Sequence, residues 1–498
     1  MPTSAKRVSI ADPTPQCGSR KTRHSIDVTP LHSPLPTKQR RIRSRASVAE
    51  DLPSPKSLLE DGPNFSAADY LSTIFEFVPY VELLRSMAVC TAWRRAAREK
   101  LQEWSIIETE GKSHAVRGLK GKSMGKLRAP SSIAVLPDRS IGVVDFHNRR
   151  IQVLAPAAME LESSSSHSAD GSCPRVAFRA SDIVKTLVAG TSPFVGPTSA
   201  IADGRGHLLV ADNQTHTLYR LALDGERAGT VLARSGGHGR ERDQLWDPEG
   251  LALDEDGLLY VADSGNHRVV VFKTRPDSSG SASPGGSSDG GGVRSGGGGE
   301  DGEDGGALAS SGASGEELTP LRSFGKMGFG DGQLSSPYGV AVAPRADGGH
   351  VYVADTLGSR ICVFDRSGLF IRSIGQRASG PERARAPGAF HLPRSLCVVR
   401  GHLIVVEERR LQVLTLDGSV RQIIEFGAGP DGLAPAVASS GVHAGLPPAP
   451  ASPTHAGGDG PPVDDEAGLW GVAADDERVF VSDSRRHRLH LFKLKRYG

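Results

Sequence analysis

Apolar and polar positions change their rhythm along this chain of 498 residues. Between Tyr70 and Trp104 apolar residues fall at Leu71, Ile74, Phe75 and Val78, Pro79 closes the run, and Val81, Leu83, Leu84 and Met87 begin another. Positions three and four apart share one helix face, so three short amphipathic helices are predicted here. From Pro130 onward the rhythm is different. Apolar runs of four to six residues alternate with turns rich in Gly, Asn and Asp, which predicts an antiparallel meander of short strands.

The meander repeats. "PEGLALDEDGLLYVADSGNHRVVVF", Pro248 to Phe272, gives three strands, and the same frame starts at Pro130, Pro197, Pro337, Pro393 and Leu469. From the opening Pro to the acidic residue is 15 positions in the first three copies, and from that Asp to the closing Leu or Phe is nine in five of the six. The fifth copy is shorter and carries Glu407 where the others have Asp. A fourth strand follows in several copies, as in the segment leading to Pro337. A four-stranded sheet cannot bury both faces alone, and radial stacking of six such sheets solves this. The expected fold is mainly β, a six-bladed propeller. The last copy ends after its third strand, so residues 114–130 are expected to supply its outer strand and close the ring without free edges.

Three segments interrupt the frame, at 155–182, 277–317 and 427–466, each too rich in Gly, Ser, Ala or Pro to build a core. They read as disordered insertions. The first two fall between third and fourth strands. The third falls between blades, on the face bearing turns such as Gly265–Arg268. The domain expectation is therefore a disordered tail over 1–63, a helical module over 64–104 and a propeller over 105–498. The tail is basic and Ser/Pro-rich, with a cluster at 38–45 ("KQRRIRSR") that suits nuclear import or nucleic-acid contact.

Charge then narrows the partners. The whole chain carries a formal +2, but 105–498 without the second and third insertions holds 42 Lys/Arg against 33 Asp/Glu. A positive body attracts acidic proteins or RNA. Aromatic residues make up only 5% of the chain, which weakens base stacking. The five cysteines are far apart with no C-x-x-C pair, so they read as reduced thiols rather than a disulfide or zinc framework. No run approaches the ~20 apolar residues of a membrane span, and the N-terminus has no secretory h-region. A chain working in the cytoplasm, the nucleus or both is expected.

Candidate chemistry is sparse. Asp145, Asp212, Asp263, Asp355, Glu407 and Asp483 recur once per blade, and recurrence favours capping of turn amides over a catalytic ring. Arg150, Arg268, Arg360, Arg410 and Arg488 share one position, where the second blade has Thr217. His147, His216, His267 and His487 lie in or beside the same turns. There is no Ser-His-Asp order, and the Gly run at 290–299 lacks the Lys-Ser/Thr ending of a phosphate loop. Catalysis, cofactors and metals are not expected.

Two resemblances sharpen the reading. Gly330, Gly332, Gln333, Leu334 and Pro337, followed by Val353-Ala354-Asp355 and Arg360, resemble the NHL repeat, which implies a six-bladed NHL propeller over about 113–495. Members of that family bind RNA, bind proteins or catalyse. Ile74-Phe75, Leu83-Leu84, Val89-Cys90-Thr91-Ala92-Trp93 and Trp104 resemble an F-box, with Ser66-Ala67 where that family has Leu-Pro. Together they imply the substrate-recognition subunit of a cullin-type ubiquitin ligase. Ile74, Phe75, Leu83, Leu84, Val89 and Trp93 would then form or support the surface for a Skp-family adaptor. A client protein would sit on the face carrying Arg150, Arg268, Arg360, Arg410, Arg488, His267 and His487. The alternatives are an RNA-binding NHL propeller and a non-catalytic scaffold.

Overall fold

A computed structural model describes residues 75, 78–80, 83, 87, 91–109, 114–159, 178–187, 194–274, 318–375, 386–427 and 468–496. The chain divides into two units, 1–64 and 65–498, and every described residue belongs to the second. The tail and most of each expected insertion lie outside the described residues.

Helix α1 (Thr91–Trp104) precedes a two-residue strand β1 (Ile107–Glu108) and a short strand β2 (His114–Arg117). Blade 1 is β3 (Pro130–Val135), β4 (Ile141–Asp145), β5 (Arg150–Leu154) and β6 (Ile183–Leu187); blade 2 is β7 (Pro197–Ala202), β8 (His207–Asp212), β9 (Thr217–Ala222) and β10 (Val231–Gly236). Blade 3 is β11 (Pro248–Leu253), β12 (Leu258–Asp263), β13 (Arg268–Lys273) and β14 (Thr319–Phe324); blade 4 is β15 (Pro337–Val342), β16 (Val351–Asp355), β17 (Arg360–Phe364) and β18 (Phe370–Ile374). Blade 5 is β19 (Ser395–Val399), β20 (His402–Val406), β21 (Arg410–Thr415) and β22 (Val420–Glu425); blade 6 opens with β23 (Leu469–Ala474), β24 (Arg478–Asp483) and β25 (Arg488–Leu494). Each blade is an antiparallel meander. The mainly β six-bladed propeller read from the repeats is the fold.

Each apolar cluster of the propeller is shared by two neighbouring blades. Val144, Ile151 and Val153 of blade 1 pack with Leu208, Val210 and Tyr219 of blade 2, and blades 5 and 6 meet through Ile404, Val406 and Leu411 against Leu469, Val479 and Val481. Alternation along a strand gives every blade two apolar faces, and each is buried only by the next blade. The ring closes as the spacing predicts: β2 pairs with β25, His114 opposite Phe492 and Arg117 opposite Leu489. A further clasp was not foreseen. β1 pairs with the far end of β25, Ile107 opposite Leu494, and the Gln422 side chain of blade 5 brackets the Ile107 backbone, accepting from N–H at 3.0 Å and donating to the carbonyl at 2.8 Å.

The helical segment differs from the three-helix expectation. Among the described residues α1 is the only α-helix that runs unbroken; Phe75, Tyr80 and Leu83 are helical, but most of their neighbours lie outside the described residues. Phe75, Leu83 and Met87 are buried with Ala96 and Ala97 of α1, and Val78, Leu101 and Trp104 pack around them. Arg421 of β22 lies over the Trp104 ring, 5.0 Å from its centroid. Lys495 donates to the Ser105 hydroxyl at 2.6 Å. Five buried apolar side chains make a small core, which needs such supports from the propeller.

Candidate functional site

The inner strands create the most distinctive site. In five blades the register between the first two strands slips at its start: Pro248 faces Asp263, yet Leu251 faces Val261, and the same slip follows Pro130, Pro197, Pro337 and Leu469. The inner strand thus carries one extra residue, a bulge that re-aims its side chains. Blade 5 has the shortened repeat, and its β19–β20 register runs without a slip.

Ser131, Thr198, Glu249, Tyr338, Arg394 and Trp470 stand at this position, one from each blade, directly after the repeat's opening Pro or Leu. They line a cavity of about 40 Å³ on the propeller axis, enough for a few waters or the end of one side chain. The next position must be small, and it is Ser132, Ser199, Gly250, Gly339, Ser395 and Gly471. A Cβ on Gly250 would collide with the Tyr338 carbonyl oxygen, and one on Gly471 with the Ser131 carbonyl oxygen. Small residues let the six inner strands converge, and convergence forms the mouth.

The ring is chemically lopsided. The Arg394 guanidinium lies over Trp470, 4.5 Å from the ring centroid, and Tyr338 is 6.2 Å from the same indole. Across the axis, Ser131 and Thr198 donate to neighbouring backbone carbonyls, Thr198 to that of Pro248 at 3.0 Å. Between Thr198 and Tyr338 in the ring lies Glu249, buried, accepting from the Asn213 amide at 3.1 Å. Burial pushes its carboxyl up to about 8, against the Asn213 hydrogen bond and with help from nearby Asp247. Burial and the Glu249 charge likewise push the Tyr338 phenol up to about 12. At neutral pH the site therefore presents a protonated acid, a neutral phenol and one cation.

The arginines expected on a client surface are turned inward. Arg150, Arg268 and Arg360 bind Asp145, Asp263 and Asp355 at 2.9, 2.7 and 2.9 Å, Arg410 binds Glu407, and Arg488 lies 3.4 Å from Asp483. The remaining donors of Arg150, Arg268, Arg360 and Arg410 reach carbonyls of the preceding interblade loop, as Arg268 does to Glu241 and Gln244 at 2.9 and 2.8 Å. The carboxylates cap that loop's amides: Asp263 accepts from Trp246 N–H at 2.6 Å and Asp145 from Arg128 N–H at 2.6 Å. Burial raises Asp145, Asp263 and Asp355 above the ordinary carboxylate value. Blade 2, with Thr217 in place of Arg, satisfies Asp212 with the N–H groups of Val195, Gly196, Gln214 and Thr215.

The turn histidines stitch blades together. His216, His267 and His487 adopt left-handed φ of 56°, 56° and 55°. Their Nδ1 atoms accept from the N–H of Asp247, Ser336 and Ala129 at the start of the following blade, at 3.1, 3.0 and 2.9 Å. These residues build the face rather than offer it. Of the expected adaptor residues, Phe75 and Leu83 are buried and can act only as supports; Ile74, Leu84 and Val89, and the Trp93 side chain, lie outside the described residues. Among the described residues no group of three or more His, Cys, Asp or Glu side chains is placed to hold a metal, and no helix is long and apolar enough to cross a membrane.

Sequence reasoning missed the ring although its signal was present. Within a frame that repeats Pro, Asp and Arg, the position after Pro reads Ser, Thr, Glu, Tyr, Arg and Trp. Fold and repeat together define a six-bladed propeller carrying the NHL repeat, whose family model matches residues 245–272. Protein lin-41 of Caenorhabditis elegans is 46% identical over 52 residues, 10% of this chain and 4% of its own length. A gluconolactonase from Xanthomonas campestris aligns over 75% of this chain and 88% of its own, with TM-score 0.40 and 14% identity. A virginiamycin B lyase from Staphylococcus aureus aligns over 78% and 99%, with TM-score 0.39 and 10% identity. At such scores neither likeness bears on activity.

Proposed function

We propose that this chain is a receptor that docks a protein client on the propeller face where the channel opens, and that its helical segment ties it to a cullin-type ubiquitin ligase through a Skp-family adaptor. The observation that carries the docking half is the ring of six unlike residues, with Glu249, Tyr338, Arg394 and Trp470 gathered at one mouth. A position that only held the blades together would repeat as the Asp–Arg pairs do. Tyr, Trp and Arg are also the residues that most often dominate binding energy at protein interfaces.

The ligase half rests on the F-box resemblance and on layout. Helix α1, the described end of the helical segment, packs on the outer strand of blade 5, where Arg421 lies over Trp104. Chemistry belongs to the recruited conjugating enzyme, and the receptor contributes proximity, which raises the effective concentration of client lysines.

The test has two arms. Purified Skp-family adaptor is titrated against the full chain by calorimetry; a saturable one-to-one complex supports the ligase role, and its absence at ~100 μM, well above ordinary signalling affinities, removes it. Proteins captured from cell extract are compared between wild type and Trp470→Ala. Partners lost only in the variant support docking at the mouth, whereas an identical set in both removes it.

A further inference from the structure

Over the described residues, the connecting segments on the two faces of the propeller carry opposite net charge. Every segment joining a second to a third strand, or one blade to the next, emerges on the face of the mouth, because each inner strand begins opposite the acidic residue that ends the second strand. Over the described residues these segments hold twelve Lys/Arg and six Asp/Glu, Lys120, Lys122, Arg240 and Arg485 among them. The segments on the other face, with the described C-terminal end, hold nine Lys/Arg and fourteen Asp/Glu. The opposite face also spends cations locally, as where Arg366 binds Asp254 and Glu255. Such a division attracts an acidic partner to the mouth and orients it on approach.

Arg394 sits at the centre of that field. Among the described residues its guanidinium makes one hydrogen bond, from Nη1 to the Leu469 carbonyl at 3.1 Å, while Glu408, the carboxylate that acts on it, is engaged by Arg485 at 2.8 Å. The indole of Trp470 supports one face of the guanidinium, which fixes the plane of its remaining donors. A planar, supported guanidinium suits a carboxylate.

We infer that the mouth is a receptor for one acidic side chain of a client peptide, an Asp or Glu carboxylate held by Arg394 against Trp470, with the basic rim receiving the acidic residues that flank it. This rests on the docking role proposed above and gives it a chemical class of partner. Glu249 does not oppose such a guest at neutral pH, because burial keeps it protonated and able to donate. Nucleic acid fits less well: the indole face that a base would stack on is taken by Arg394, and the cavity admits the end of a side chain rather than a nucleotide.

The experiment uses the immobilised full-length chain and degenerate nonapeptide pools whose central residue is fixed as Glu or as Gln. The Glu pool is expected to be retained at least tenfold over the Gln pool. Arg394→Gln should bring the ratio below twofold, and Arg394→Lys, which keeps the charge without the planar fork, should leave an intermediate ratio. Arg205→Gln, an exposed change on the opposite face, should leave it unaltered. Thermal melts of each variant separate lost binding from lost folding, and a variant that melts early is replaced in the comparison by Trp470→Phe, expected to lower the ratio severalfold. Equal retention of the two pools, or a Glu preference that survives Arg394→Gln, overturns the inference. So does Arg394-dependent retention of a uridine dodecamer with no peptide preference, which would assign the mouth to phosphate. If Trp470→Ala loses extract partners while the pools show no acid preference, docking stands and the carboxylate guest falls.

Discussion

The Asp–Arg pairs and the axial ring are two sets of repeat-equivalent positions with opposite behaviour, the acidic residue following the ring residue by 13 to 17 positions in each blade. The pairs hold nearly one identity throughout, and each does the same internal work of closing a loop and neutralising a buried carboxylate. The ring position holds six identities and leaves a mouth. A role that each blade must perform for itself constrains every copy alike. A role that the six blades perform once, together, leaves each copy free to contribute something different. In a repeat protein, departure from the repeat is therefore a better pointer to a shared site than adherence to it.

Four substitutions break or sharpen this contrast, in falling order of expected effect on stability. Asp263→Ala leaves the half-buried Arg268 without the fully buried counter-ion it pairs with and Trp246 N–H without its acceptor, and should cost about 3 kcal/mol in denaturant unfolding. A loss below about 1 kcal/mol would show that the pairs are not structural constraints. Gly471→Val forces a side chain against the Ser131 backbone of the next blade. It should cost about 1–3 kcal/mol and lower the melting temperature, since the inner strands cannot separate without opening the ring.

Glu249→Gln acts through pH. The folded carboxyl binds its proton up to about 8, whereas the unfolded one releases it near the ordinary value of 4.5. The contribution of the protonated form is thus complete below 4.5 and lost as pH rises toward and through 8. Relative to the Gln variant, wild type should weaken across that window, by at most about 1.4 kcal/mol for each pH unit climbed, so that the Gln variant is the more stable protein at pH 8.5. Melting temperatures from pH 5 to 9 decide, and parallel curves would refute the buried-acid assignment. Arg394→Ala should cost least, about 1 kcal/mol for the lost stacking on Trp470, yet should abolish selection of the acidic peptide pool. A small stability change with a large binding change is the signature of a position kept for its partner.

The closing seam adds a second contrast, between blade 6 and the rest. Elsewhere consecutive strands of one segment make the blade, whereas blade 6 joins β25 to strands from about 380 residues earlier. His114 stacks on Phe492 at 4.5 Å between centroids, and its ring lies 3.2 Å from His490, with burial holding both imidazoles below their ordinary value. The same seam carries the helical segment, because α1 leads directly into β1. Sequence periodicity revealed β2 through its likeness to the outer strand before Pro337. It did not reveal β1, since two residues hold no period and their pairing depends on where the ring's end arrives.

The amino-acid sequence alone determined the strands, the six-fold count, the closure by a strand from residues 114–130 and the capping role of the recurrent acidic residues. Each follows from local alternation or fixed spacing, and these are properties of neighbours in the chain. Tertiary structure decided the rest: that Arg150, Arg268, Arg360 and Arg410 face loop carbonyls, that Phe75 and Leu83 are interior, and that six residues dozens of positions apart share one mouth. Direction and convergence come from how blades pack around an axis, and no single repeat contains the axis.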